Sequence, residues 1–151
     1  MYHNHDFEFV TLSGMYGLDF LYAAVDEELL KTEIDVCWVS YAGYDPAEYL
    51  TKYAKGIPVV HLKNYFLEGK LNSAPYALIG ITTDNSMKDD GGSFEYRPLD
   101  MGQLDMVPII QAAINGGSQW LCVEQDEPSA GLDRLGGVAQ SAKYLKSIGL
   151  M

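Results

Sequence analysis

Ile57-Pro58-Val59-Val60-His61-Leu62-Lys63 is a short apolar run with Gly56 before it and Asn64 after it. Such a run reads as a buried strand. Side chains alternate along a strand, so Ile57, Val59, His61 and Lys63 share one face, apolar at its start and ending in an imidazole and an amine. Three other short segments end in the same manner. Tyr2-His3-Asn4-His5 carries two imidazoles, Glu33-Ile34-Asp35-Val36-Cys37-Trp38 a carboxylate, and Trp120-Leu121-Cys122-Val123-Glu124 another. Any one of these polar residues has a plain explanation, that it marks where its strand meets water. His, Asp, His and Glu closing four separate strands point instead to a divalent metal site.

Working outward from this run gives the order of elements. Leu18, Leu21, Tyr22 and Val25 recur at helical spacing and predict a helix at about 17–30. Glu33–Val39 reads as the second strand. Asp45-Pro46-Ala47-Glu48 is a helix start, with Asp45 as cap and Pro46 in the first turn. That helix is expected to run to about Lys55, where Gly56 ends it. Residues 64–100 hold a dense mixture of Gly, Asp, Asn and Ser and are expected to be irregular, with a short strand at Tyr76–Ile81. Asp105 caps a helix to about Asn115, Ser118–Glu124 is the fourth strand, and 132–148 is a last helix. Its expected inward stripe is Leu135, Val138, Ala142 and Leu145. Strands alternating with helices imply an α/β fold with a parallel sheet and right-handed crossovers. There is no GxGxxG and no P-loop, so a nucleotide is not indicated.

The chain has 151 residues, one domain's worth, and 48% hydrophobic residues can build a core. Ten basic against twenty-one acidic residues give a formal charge of -11, which argues against nucleic acid as a partner. No stretch is long and apolar enough to span a bilayer, and the polar start with two histidines does not read as a signal peptide. Cys37 and Cys122 both fall in expected strands and read as buried thiols of a reducing compartment. A cytoplasmic location is the expectation.

The ordered series Tyr2-His3-Asn4-His5-Asp6-Phe7-Glu8-Phe9, Glu33-Ile34-Asp35-Val36-Cys37-Trp38-Val39, Ala42-Gly43-Tyr44-Asp45-Pro46, His61-Leu62-Lys63 and Val123-Glu124-Gln125-Asp126 resembles the sugar phosphate isomerase/epimerase family, the xylose-isomerase-like TIM barrels. The resemblance runs nearly the full length of the chain but matches only the second half of that barrel. A (β/α)8 barrel takes about 250 residues. The resemblance therefore implies the C-terminal half of a barrel, strands 5–8 with their helices, as a single half-barrel domain over residues 1–151. Either the chain is a fragment, or it is a natural half-barrel that pairs with another copy. Departures from the family pattern are Lys55-Gly56-Ile57 where an Arg often stands, Asn64 for an Asp, and Met101-Gly102-Gln103 for a Gly-x-Gly.

In the family, one metal ligand comes from each of these strands. By resemblance, Asp35, His61 and Glu124 supply three of them. His3 takes the place of the first, with His5 and Glu8 as alternatives. A nitrogen in place of a carboxylate favours Zn or Mn over Mg. The implied activity is isomerisation or epimerisation of a small sugar, by proton transfer through an enediolate, with Glu124 as the catalytic carboxylate on one side and Glu8 on the other. Lys63 is expected to bind a substrate oxygen. Trp38, His5 and Phe7 are expected to wall the sugar, and Gln125 and Asp126 to orient ligands. Two rivals stay open: a half-barrel that only binds metal or sugar, and an inosose dehydratase-like lyase of the same superfamily. Four parallel strands also leave two unpaired edges and a partly apolar face. A homodimer, or a missing N-terminal half, is the expected remedy.

Overall fold

The computed structural model describes residues 1–53, 56–71 and 91–151. The expected strand at 76–81 and the end of the helix expected to reach Lys55 lie outside these residues. In chain order the elements are β1 (Tyr2–His3), a 3-10 turn (Phe7–Phe9), β2 (Thr11–Leu12), β3 (Met15–Tyr16), α1 (Gly17–Ala24), β4 (Thr32–Asp35), α2 (Val36–Tyr41), α3 (Pro46–Lys52), β5 (Val59–Leu62), β6 (Asn64–Glu68), β7 (Ser93–Arg97), α4 (Met106–Asn115), β8 (Trp120–Val123) and α5 (Arg134–Ser147). β1, β4, β5 and β8 form one parallel sheet in that order. This is an α/β fold with the architecture of part of a TIM-like barrel.

Alternation along the strands sorts the two faces. Ile34, Val60 and Leu62 are buried and pack with Leu50, Ile109, Ile110 and Leu145 from the helices. His3, Glu33, Val59 and Trp120 share one register row across the opposite face, and Asp35, His61 and Cys122 share the next. That face is open: Trp120 is 68% exposed. Cys122, expected to be buried, is exposed there because its strand is the sheet's edge. Cys37 is buried.

Besides Cys122, and the helix expected to reach about residue 30 that ends at Ala24, three expectations need correction. The second strand stops at Asp35, whose carboxylate accepts from the backbone of Cys37 and Trp38 and so starts α2. Trp38 is therefore helical, because a cap outweighs the strand propensity of Val36–Val39. The span 64–100 is regular at both ends, where β6 and β7 pair antiparallel from Asn64↔Arg97 to Glu68↔Ser93. In α5 the buried residues are Gly137, Ser141 and Leu145, while Leu135 and Val138 are exposed. Small residues face inward because the helix lies close: a side chain at Gly137 would meet Gln125, and Ser141 Oγ accepts from the Leu99 backbone at 3.2 Å. The caps at Asp45 and Asp105 are as expected, each accepting from its helix's first turn.

Asn64, the first residue of β6, ties the ribbon to the segment that leads from β7 to α4. Its amide donates to the carbonyls of Leu99 (2.8 Å) and Leu104 (3.1 Å) and accepts from the backbone of Leu104 (3.0 Å) and Tyr65 (2.8 Å). An aspartate could not donate to the two carbonyls, which accounts for this departure from the family pattern.

Candidate metal centre

Asp35 has two tasks, one for each carboxylate oxygen. Oδ1 caps α2, and Oδ2 faces His3 Nε2 at 3.2 Å. Buried Asn4 fixes the spacing of the two strands: its Oδ1 accepts from Asp35 N at 3.0 Å, and its Nδ2 donates to Asp35 O at 3.4 Å. The side-chain amide thus extends the β1–β4 ladder past His3.

His61 sits between two carboxylates. Nδ1 is 2.5 Å from Glu124 Oε2 and Nε2 is 2.7 Å from Glu33 Oε1. The Glu124 hydrogen bond is the main reason that the His61 pKa is raised, against the effect of burial. The same bond, helped by Lys63, holds the Glu124 carboxyl far below the usual carboxylate range despite burial. Lys63 is buried beside Asp126 (2.7 Å), Glu124 (3.3 Å) and Asp35 (3.8 Å). Burial alone would lower its pKa, but these carboxylates outweigh it and the net shift is upward. Its ammonium also lies 4.9 Å from the Tyr96 ring centroid and 5.3 Å from that of Trp38.

His3, Asp35, His61 and Glu124 each offer one ligand atom, and these atoms all lie within 4.8 Å of one another. Two imidazole nitrogens and two carboxylate oxygens suit a divalent transition ion. The charge balance fits as well. Glu33, Asp35, Glu124 and Asp126 surround the site, against Lys63 and the titratable His61. A cation would replace the histidine–carboxylate pairs that now join the four ligands.

The other expected site residues lie around this group rather than in it. His5 stacks on Trp38 (5.5 Å) and Phe7 (5.9 Å) and meets His3 edge-on (5.2 Å). Burial and neighbouring His3 lower its pKa. Trp38 is 1% exposed, wedged between His5, Tyr41, Phe94 and Tyr96, so its ring supports the wall from behind. Glu8 is buried, accepting from Tyr2 Oη at 2.8 Å and from the His5 backbone at 2.9 Å. Tyr2 and His3 are adjacent on a strand and face opposite ways. Glu8 is thus held on the side away from His3, and moving it into the cluster would break both bonds. Asp126 reaches Lys63, whereas Gln125 Nε2 donates to the Glu127 carbonyl (3.0 Å) and touches no ligand.

Sequence reasoning missed Glu33, Asn4, Phe94 and Tyr96. Glu33 had a signal, since it stands two residues before Asp35 on the same strand face. Phe94 and Tyr96 had none, because they reach the site through a ribbon whose strands are far apart in sequence.

No protein-family model matches the chain, and no curated protein matches it. Solved structures do resemble it. Two of them, each of a sugar phosphate isomerase/epimerase from Parabacteroides distasonis ATCC 8503, superpose with TM-scores of 0.70 and 0.65 at 21% and 22% identity. Each comparison covers 99% of this chain and 45% of the solved one, so the chain spans a little under half of their length. At that identity the likeness shows a shared fold. Among the described residues, no helix is long and apolar enough to cross a membrane.

Proposed function

We propose that residues 1–151 form one half-barrel domain, units five to eight of a (β/α)8 barrel, of a metal-dependent isomerase or epimerase acting on a small sugar. The observation that carries this is the convergence of His3, Asp35, His61 and Glu124 from four parallel strands on a space of 4.8 Å. These residues hold a divalent ion, Mn, Zn or Mg, with the mixed nitrogen and oxygen donors favouring Mn or Zn. When bound, such an ion polarises a carbonyl and acidifies the neighbouring carbon. Glu124 would be the carboxylate that takes the proton from that carbon. In the absence of an ion, its hydrogen bond to His61 and the nearby Lys63 ammonium favour its ionised form, the form in which a carboxylate binds metal. Lys63, cationic and buried, binds a substrate oxygen, and His5 closes the wall above Trp38. The open sheet face, with Trp120 and Cys122, is covered by the other half of the barrel, either a further part of a longer protein or a second copy.

Glu8 favours a second reading. Tied to Tyr2 and the His5 backbone, it is not placed to act on the opposite face of a sugar. Without a second proton-transfer group from a partner half, this chain binds metal and sugar and does not turn over. Incubating the Mn-loaded protein with sugars in D2O separates the readings by proton NMR. Deuterium entering next to the carbonyl supports the isomerase or epimerase. Loss of a hydroxyl as water supports the lyase. Binding without either supports the incomplete half, and failure to bind Mn2+ refutes all of them.

A further inference from the structure

The parallel sheet ends in two edges, β1 and β8, and each turns backbone groups outward. Tyr2 N donates to Lys31 O, Trp120 N to Pro58 O and Glu124 N to Leu62 O. Successive residues of a strand direct their backbone groups to opposite sides. The N–H groups of Leu121 and Val123 therefore point off β8, and that of His3 points off β1. The helices over these edges are apolar on the same outer flanks. In α5, Gln140 donates to Asp100, on the segment between β7 and α4. Residues of a helix are about 100° apart, so Leu135 and Val138 lie on the opposite flank, and both are exposed. In α1, Asp19 meets Tyr49 and Lys52 of α3, and half-buried Leu21 lies on the opposite flank.

The register says what fits these edges. His3, Glu33, Val59 and Trp120 lie in one row, and Glu124 stands four residues beyond Trp120. Yet ligand atoms of His3 and Glu124 lie within 4.8 Å of one another. The rows therefore slant, as they do where strands tilt in a barrel. A closed eight-stranded barrel of this type accumulates a stagger of about 8 residues around its circumference, so four strands accumulate about 4. The strand that follows β8 is then set with its first inward residue at the level of Glu124. β1 of a second copy meets that requirement. Its His3 would stand beside Glu124, and its His3 N–H would donate to the Val123 carbonyl. Two copies bring eight parallel strands and about nine-tenths of the length of either solved neighbour. A half-turn brings the same two edges together twice and leaves none open.

We infer that a second copy of this chain closes the barrel, with a two-fold axis along it and β8 of each copy paired in parallel with β1 of the other. This partner presupposes the half-barrel reading proposed above. It also completes the metal centre, because Glu124, just past the edge strand and with its side chain 31% exposed, gains an imidazole neighbour from the other copy. The carboxylates brought to face one another across the lumen are those that a bound cation neutralises, so the assembly is tested with the ion present.

The test is sedimentation velocity on the full chain at micromolar concentration with saturating Mn2+, with calorimetry to measure Mn2+ binding in the same samples. A particle of twice the chain's 16.7 kDa is expected. Val123→Pro removes an N–H that points off the edge and spares the ladder to β5, and it should weaken the dimer at least about tenfold. Leu135→Glu, at an exposed helical position, should do the same and gives the readout where the proline variant fails to fold. Val107→Glu, equally an exposed position but on α4, between the two edges, should leave the dimer unchanged. A monomer that binds Mn2+, an open series of larger oligomers, a dimer indifferent to both edge variants, or one that Val107→Glu weakens as much, overturns the inference and leaves the metal centre standing. A dimer that meets these expectations and binds no Mn2+ supports the closure and removes the metal-dependent reading instead.

Discussion

At Asp19 one carboxylate meets three donors, while at the ends of the sheet strands four carboxylates share one lysine and two imidazoles. Asp19 accepts from Tyr49 Oη at 2.8 Å and from Lys52 Nζ and Tyr53 Oη. Lys52 in turn lies over the rings of Tyr16, Tyr49 and Tyr53. Every polar group there has a partner within the cluster, as a structural network requires. At the metal centre Glu33 and Glu124 flank the two nitrogens of one imidazole, and Asp35, Glu124 and Asp126 crowd one ammonium. Both clusters are rich in charge and partly buried. What separates them is the surplus of acceptors, and that surplus calls for a cation from solution.

Removing a ligand gives the largest expected effect. His61→Ala should weaken Mn2+ binding by about 100-fold or more, at least the upper end of what changing a residue behind the ligands costs. Calorimetry measures this directly. Melting gives a second readout, because a bound ion at 100 times its Kd adds about 2.7 kcal/mol to stability. Wild type should gain in melting temperature with Mn2+, and His61→Ala should not. Equal gains in the two would mean that the acceptor-rich cluster is no metal centre.

Glu33→Gln tests the residue behind the ligand. Glu33 fixes the His61 ring through Nε2, as carboxylates commonly do for metal-bound histidines. Mn2+ affinity should fall about 10- to 100-fold while the metal-free melting temperature stays close to wild type. An unchanged affinity would show that Glu33 pairs with His61 only when no ion is present.

How much of this was legible in the sequence depends on the range of the interaction that decided it. Strand parity was enough to group Asp35, His61 and Glu124 with His3 or His5, because alternation is a local property, but it could not choose between the two histidines. The caps at Asp45 and Asp105 are equally local. The run Val36–Val39 was ambiguous, since a short apolar segment reads alike as strand or buried helix. Asp35 decided it by turning its carboxylate back on its own backbone. The β6–β7 ribbon depended on Tyr65 finding Tyr96, which no local pattern announces. In α5 the apolar stripe at Leu135 and Val138 gave the wrong inward face, because close approach selected Gly137 and Ser141 instead. Glu8 was visible as a carboxylate near the site, but its bond to Tyr2 was not.

Asn64 is the centre of a second self-satisfied cluster. A side chain at Gly102 would lie 2.2 Å from the Asn64 amide, which its four hydrogen bonds hold in place. Gly102→Ala should therefore cost about 1–3 kcal/mol of stability by overpacking, read from the urea midpoint. Mn2+ affinity should be unchanged. A loss of metal binding together with an unchanged urea midpoint would show that the ribbon serves the centre directly.

An effect of similar size is expected at Asp19, where the comparison is sharpest. Asp19→Ala leaves the Tyr49 and Tyr53 hydroxyls without their acceptor and should cost about 1–3 kcal/mol near neutral pH, with no change in Mn2+ binding. Its pH dependence identifies the cause. Burial alone would raise the Asp19 pKa, but the hydrogen bonds from Lys52, Tyr53 and Tyr49 outweigh it and the net shift is downward. A carboxylate with a lowered folded-state pKa binds fewer protons folded than unfolded. Its contribution is complete above the unfolded value of about 3.9 and is lost as pH falls toward the folded value. Other carboxylates titrate in the same range, so the useful quantity is the stability difference between wild type and Asp19→Ala. Measured by urea unfolding from pH 6 to pH 3, that difference should hold steady down to about pH 4.5 and then shrink, because the acid erases what the mutation removes. A difference that stays constant to pH 3 would mean that Asp19 contributes by packing, and the contrast between a satisfied and an acceptor-rich cluster would lose its electrostatic basis.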